Sequence, residues 1–118
     1  MSILANSQIR AYFAVLITVM LLSACSKPIP ADKSSYVGEW RSQDMFLMIT
    51  QDGSLKYVRQ KGGETTKINV PIKEFDGNNI VAGIGPATTT FVVDKPPYQD
   101  GGKWMMVVDN DLLTKIHD

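Results

Sequence analysis

One cysteine and one histidine in 118 residues leave little material for catalysis. The histidine, His117, stands beside the C-terminus, where chains fray. It has no second histidine and no cysteine near it in sequence, so a zinc site lacks ligands and no metal or cofactor is expected. The hydroxyls of Ser34, Ser35, Thr65, Thr66, Thr88, Thr89 and Thr90 lack the histidine base that nucleophilic catalysis needs. The chain therefore reads as a non-enzyme. A lone cysteine also excludes an intramolecular disulfide, so any domain must be held by its core. Neither charge is in excess: 12 basic residues face 12 acidic ones. Arg10 is the only charge among the first 24 residues, which leaves 11 basic and 12 acidic residues after it. The basic residues form no stripe that could track phosphates, and no nucleic-acid partner is expected. The chain also lacks a membrane-spanning run. Such a helix needs ~20 apolar residues, and the uncharged stretch AYFAVLITVMLL, residues 11–22, has twelve.

What is present begins with that stretch. A short region ending in Arg10, an apolar region of this length and the small residues Ser23 and Ala24 have the layout of a secretory signal. Cys25 follows at once. Leu22-Ser23-Ala24-Cys25 resembles the lipobox of bacterial lipoprotein signal peptides. The resemblance implies cleavage before Cys25, a diacylglyceryl thioether on its sulfur and acylation of the new amino terminus. Cysteine suits this chemistry because its thiolate is the nucleophile that accepts the lipid. One acyl chain anchors only marginally, whereas two or more anchor stably. Ser26 in the next position resembles the sorting pattern for the outer membrane, since aspartate there would favour retention. The expected location is the bacterial envelope, lipid-anchored at the outer membrane and facing the periplasm. That compartment is oxidising. Residues 26–35, SKPIPADKSS, are rich in proline, serine and lysine and read as a flexible tether. The expected organisation is a signal peptide over 1–24, a lipidated cysteine and linker over 25–35, and one domain over 36–118.

The domain reads as all-β. Turn signals recur about every ten residues, at 51–54, 61–63, 76–79, 83–86, 96–102 and 109–111, between short runs rich in β-branched and aromatic residues. No stretch holds a 3.6-residue apolar period. The spacing predicts strands over 38–41, 46–50, 54–60, 67–70, 79–84, 88–93, 103–108 and 112–116. The expected architecture is a small antiparallel meander barrel or flattened sandwich of seven or eight strands. Closure is favoured because it leaves few open edges. Alternation places Leu55 and Tyr57 on one face and Lys56 and Val58 on the other. It likewise separates Trp104, Met106 and Val108 from Met105 and Val107. The last hairpin is apolar on both faces, which calls for a central or covered position.

Gly38-Glu39-Trp40 opens the first strand. Glycine, any residue and tryptophan at the start of a β-meander resemble the first-strand motif of lipocalins and the wider calycin group. The resemblance implies that Trp40 closes one end of the barrel and that a basic residue of the last strand packs across it. Lys115 occupies that strand, where arginine is usual, and Arg41 is the other possible partner. The folded part is shorter than in that group, and no C-terminal helix follows the strands.

The remaining motifs carry little chemistry. Asp109-Asn110-Asp111 lacks the later oxygen ligand and glycine of a calcium loop and reads as a turn. Gly83-Ile84-Gly85-Pro86 lacks the third glycine and the helix of a phosphate loop and reads as a bend. Met45 and Met105 could be partly exposed beside Phe46 and Trp104, and methionine suits adaptable binding surfaces. Residues 95–102 read as the longest loop, stiffened by Pro96 and Pro97 and tipped by Tyr98. A rigid loop with an aromatic tip suits docking into a partner. The expected binding residues are therefore Pro96, Pro97, Tyr98 and Met105. Two functions fit. One is a non-catalytic envelope interaction module, either an assembly subunit or a hydrolase inhibitor; small β-barrel lipoproteins that inhibit lysozyme have a similar plan. The alternative is a lipocalin-like carrier of a small apolar ligand.

Overall fold

Two-residue turns set the architecture. The computed structural model describes residues 27–116. Asp109 and Asn110 both take positive φ, 49° and 65°, and join Val108 directly to its partner Asp111. This is the mirror-image turn whose twist suits a β-hairpin. The pairs 62–63 and 101–102 make equally tight connections, from Lys61 to Glu64 and from Asp100 to Lys103.

Nine strands result: β1 (Gly38–Arg41), β2 (Met45–Ile49), β3 (Ser54–Lys61), β4 (Glu64–Asp76), β5 (Asn79–Ile84), β6 (Ala87–Phe91), β7 (Val93–Asp100), β8 (Lys103–Val108) and β9 (Asp111–Lys115). They form one antiparallel sheet, curled into a half-barrel, in the order β6-β5-β4-β3-β2-β1-β9-β8-β7. The order is a meander whose last strand returns to the first. Trp40 pairs with Lys115 and Arg41 with Thr114. The last hairpin is thus interior rather than at an edge, with β1 on one side and β7 on the other. The two outermost strands, β6 and β7, are consecutive in the chain, with only Val92 between them. Asp109 holds this corner by accepting from Val92 N–H at 2.9 Å while its own N–H donates to the Val92 carbonyl. Asn79 Oδ1 accepts from Val93 N–H at 2.9 Å.

Two proline-containing runs are extended where the sequence predicts otherwise: β4 is longer than expected, and β7 is the added strand that brings the count to nine. β4 does not end before Pro71. It pairs with β3 up to Pro71 and with β5 from Ile72. Proline, which has no N–H to give a ladder, stands at the change of partner. The expected loop 96–102 is the second case. Pro96, Pro97 and Tyr98 belong to β7, and the turn is Gly101-Gly102 alone. β7 is an outermost strand, and its register shifts between Lys95 and Tyr98, so the two prolines fall in an irregularity at an edge. That is where a sheet tolerates them.

The inner face is filled. Trp40, Leu47, Ile49, Ile80, Met106, Val108 and Leu113 are completely buried, and Phe91, Leu55 and Met45 nearly so. Tyr57 and Phe91 meet with ring centroids 5.0 Å apart. Met45 fills the core, alternating inward with Leu47 and Ile49. The folded unit also starts earlier than residue 36. Ile29 is 5 % exposed, and its N–H donates to the Gln51 carbonyl at 2.9 Å. A 3-10 helix, Ala31–Tyr36, then leads into β1 and buries Tyr36. The tether expected over residues 25–35 is therefore packed on the domain from Ile29 onward, because Ile29 and Tyr36 bring apolar surface that the core takes up. Among the described residues no helix is long and apolar enough to cross a membrane.

Candidate functional site

Three features have built geometry. The first surrounds Trp40. The indole is completely buried, and its Nε1–H donates to the Tyr36 carbonyl at 2.9 Å. The Lys115 ammonium lies 5.6 Å from the Trp40 ring centroid and 6.0 Å from that of Trp104. A cation above two indole faces is attracted by their quadrupoles. Gly38 makes room for it. Its φ is +142°, and a Cβ there would stand 2.5 Å from Lys115 Cε. Gly38, Trp40 and Lys115 are thus one unit, and Lys115 takes the place across the tryptophan. Arg41, the other possible partner, instead lies over Phe46, 5.4 Å from its centroid. Trp40 is buried while Gly38 and Lys115 are half-buried, so the unit closes the edge of the core.

The second feature is on the outer face. Pairing aligns Tyr98, Met105, Thr114, Arg41, Phe46 and Val58 in one row across six strands, from β7 to β3. Directly opposed side chains on an antiparallel sheet are about 5 Å apart and share a face. Val107 and Leu112 form a second pair beside the row. Leu112 is 50 % exposed, while Tyr98, Met105, Val107, Phe46 and Val58 are half-buried. Two cations cover rings in the row: Arg41 over Phe46, and Lys95 at 6.0 Å over Tyr98. Thr114 Oγ1 donates to Met105 Sδ at 3.5 Å. Two of the expected binding residues, Tyr98 and Met105, are thus direct cross-strand neighbours. Pro97 is half-buried and Pro96 exposed in the same strand. Phe46, Val58 and Leu112 complete the surface and were not expected there. For Leu112 the signal was the apolar character of both faces in the 103–108 and 112–116 runs; Phe46 and Val58 join it only through the strand register.

The third feature is an open cleft of about 470 Å³ where the described chain begins. Lys27, Pro28, Ile29, Pro30, Asp32 and Lys33 form one wall, and β4 with its following turn forms the other, through Ile72, Lys73, Glu74, Phe75 and Gly77. Tyr36 meets Phe75 edge-on at 5.2 Å, and Lys33 lies over both rings. The Tyr36 hydroxyl donates to the Asn78 carbonyl at 2.9 Å, and burial pushes its pKa up. At the adjacent β2–β3 turn, the Thr50 hydroxyl donates to Asp52 and holds that carboxyl below its usual range.

Cys25, Ser26 and His117 lie outside the described residues. Among the described residues no three histidine, cysteine or acidic side chains gather where they could hold a metal ion. Thr88, Thr89 and Thr90 are exposed on β6, as solvent-facing strand residues should be. Asp109-Asn110 is the β8–β9 turn, and residues 83–86 are the end of β5 and its turn into β6. No family model, no curated protein and no solved structure matches the chain.

Proposed function

We propose that the protein is a lipid-anchored component of the bacterial envelope, held through Cys25, whose β domain is a non-catalytic module that binds another envelope protein. The observation that carries the binding role is the outer-face row. Tyr98, Met105, Phe46 and Leu112 bring aromatic and methionine surface together, with Arg41 among them. Tyrosine, methionine and arginine are the residue types enriched where proteins meet. Apart from edge strand β7, the row lies on strands paired on both sides, so most of it is rigid before a partner arrives, and rigidity lowers the ordering cost of binding. The filled inner face supports this reading over a carrier of a small apolar ligand. Tyr98 lies on a strand rather than on a protruding loop, which favours face-to-face assembly over insertion into a hydrolase cleft. The Gly38–Trp40–Lys115 unit supports a calycin-like origin for the half-barrel.

In-cell photo-crosslinking tests the binding role. A photoreactive residue at Leu112 or Tyr98 should yield one discrete protein adduct. The same residue at Lys61, in the hairpin at the far end of β3, should not. Equal or absent adducts at all three positions would remove the outer face as the binding site.

A further inference from the structure

The cleft end of the domain has a second use, and this inference rests on the lipid anchor at Cys25. Lys27 stands two residues after Cys25 in the chain, a reach of at most ~7 Å. The headgroup layer is about 5–8 Å thick on each side of a bilayer. A chain whose cysteine carries acyl groups in the hydrocarbon would therefore deliver Lys27 at the level of the phosphates. No free tether follows, because Ile29 is already buried in the domain. The cleft end must then meet the membrane surface.

That end has suitable chemistry. Lys27, Lys33 and Lys73 line the cleft, together with Asp32 and Glu74. Lys73 Nζ donates to the Gly85 carbonyl at 2.6 Å, which ties the β5–β6 turn to the cleft wall. Ile84, the residue before Gly85, is 68 % exposed, more than any other large apolar side chain among the described residues. An exposed isoleucine at the entry to a tight turn, with Lys73 tied to that turn and Lys27 and Lys33 lining the adjoining cleft, has the character of an interfacial contact: the apolar side chain enters the headgroup boundary and the cations pair with lipid phosphates.

We propose that this end, with Ile84 and the lysines Lys27, Lys33 and Lys73, is a direct docking surface for anionic phospholipid. The contact fixes the orientation of the domain on the membrane, which leaves the outer-face row free for a protein partner.

The test uses the full chain, processed and purified with its lipid and reconstituted in vesicles of phosphatidylethanolamine and phosphatidylglycerol. A spin label on Ile84→Cys is compared with one on Leu112→Cys, each probed with apolar oxygen and with a water-soluble nickel chelate. The label at 84 should collide more with oxygen and less with nickel than the label at 112. Adding Lys27→Glu and Lys73→Glu should shift it back toward water. Equal, water-like accessibility at 84 and 112, in protein that floats with the vesicles, would overturn the docking surface and leave the anchor standing. A second label on Cys25, with protein that does not float, would overturn the anchor and the docking surface together.

Discussion

Replacing Gly38 by alanine should cost far more than its partial exposure suggests. Gly38 has φ +142°, a region that residues with a Cβ adopt only with strain. Holding alanine there costs about 1–3 kcal/mol. The new methyl group would also stand 2.5 Å from Lys115 Cε, so the lysine must move off the Trp40 and Trp104 rings. Losing a cation–π contact costs about 0.5–2 kcal/mol. Together these give about 1.5–5 kcal/mol, a large share of the roughly 5–15 kcal/mol of a typical domain. The corresponding fall in Tm is on the order of 6–40 °C for a domain of this size. Urea unfolding followed by tryptophan fluorescence is the direct assay, since both tryptophans lie under Lys115. The double variant with Lys115→Met separates the two causes. If backbone strain is the larger part, at least about half of the cost should persist without the lysine. A Gly38→Ala protein within about 0.5 kcal/mol of the parent, the range of an ordinary surface substitution, would refute this reasoning.

Three further predictions follow from burial and exposure. Ile29→Ala should destabilise the domain by about 2–4 kcal/mol in urea, as expected for a buried isoleucine, whereas a residue in a free tether would leave the midpoint unchanged. The Tyr36 pKa is raised by burial, so the unfolded chain loses that proton first as pH rises. Stability should be intact below the ordinary tyrosine value of 10.0 and fall as pH rises above it; Tyr36→Phe should flatten that limb of a stability–pH profile. Leu112→Asp should leave the thermal midpoint nearly unchanged, because the side chain is half exposed, while abolishing the crosslinked adduct obtained from Tyr98.

The local part of this fold was legible in the chain. β1, β5 and β8 have the bounds that alternation and turn residues predict, because β1 opens on Gly38 and β5 and β8 are each flanked by glycine, aspartate or asparagine in a tight turn. β7 was not legible. Pro96 and Pro97 argue against a strand wherever a ladder needs their N–H groups, and only the position of β7 at the sheet edge removes that objection. The start of the domain was hidden by composition. Ile29 is one apolar residue among prolines, serines and lysines, and its burial depends on the distant Gln51 carbonyl. The Trp40–Lys115 contact was anticipated through the lipocalin-like motif, while the outer row was not. That row needs the register between β1 and β9, strands more than 70 residues apart in sequence, and no local pattern encodes such a pairing.

The central claim is that this β domain is held at a membrane by lipid on Cys25, directly before its first packed residues. Mass spectrometry of the protein isolated from bacterial membranes tests it most directly. The account predicts a mature chain that begins at Cys25, with a diacylglyceryl group on sulfur and an acyl group on the new amino terminus. A chain that retains residues 11–24, or a free thiol at Cys25, would contradict it.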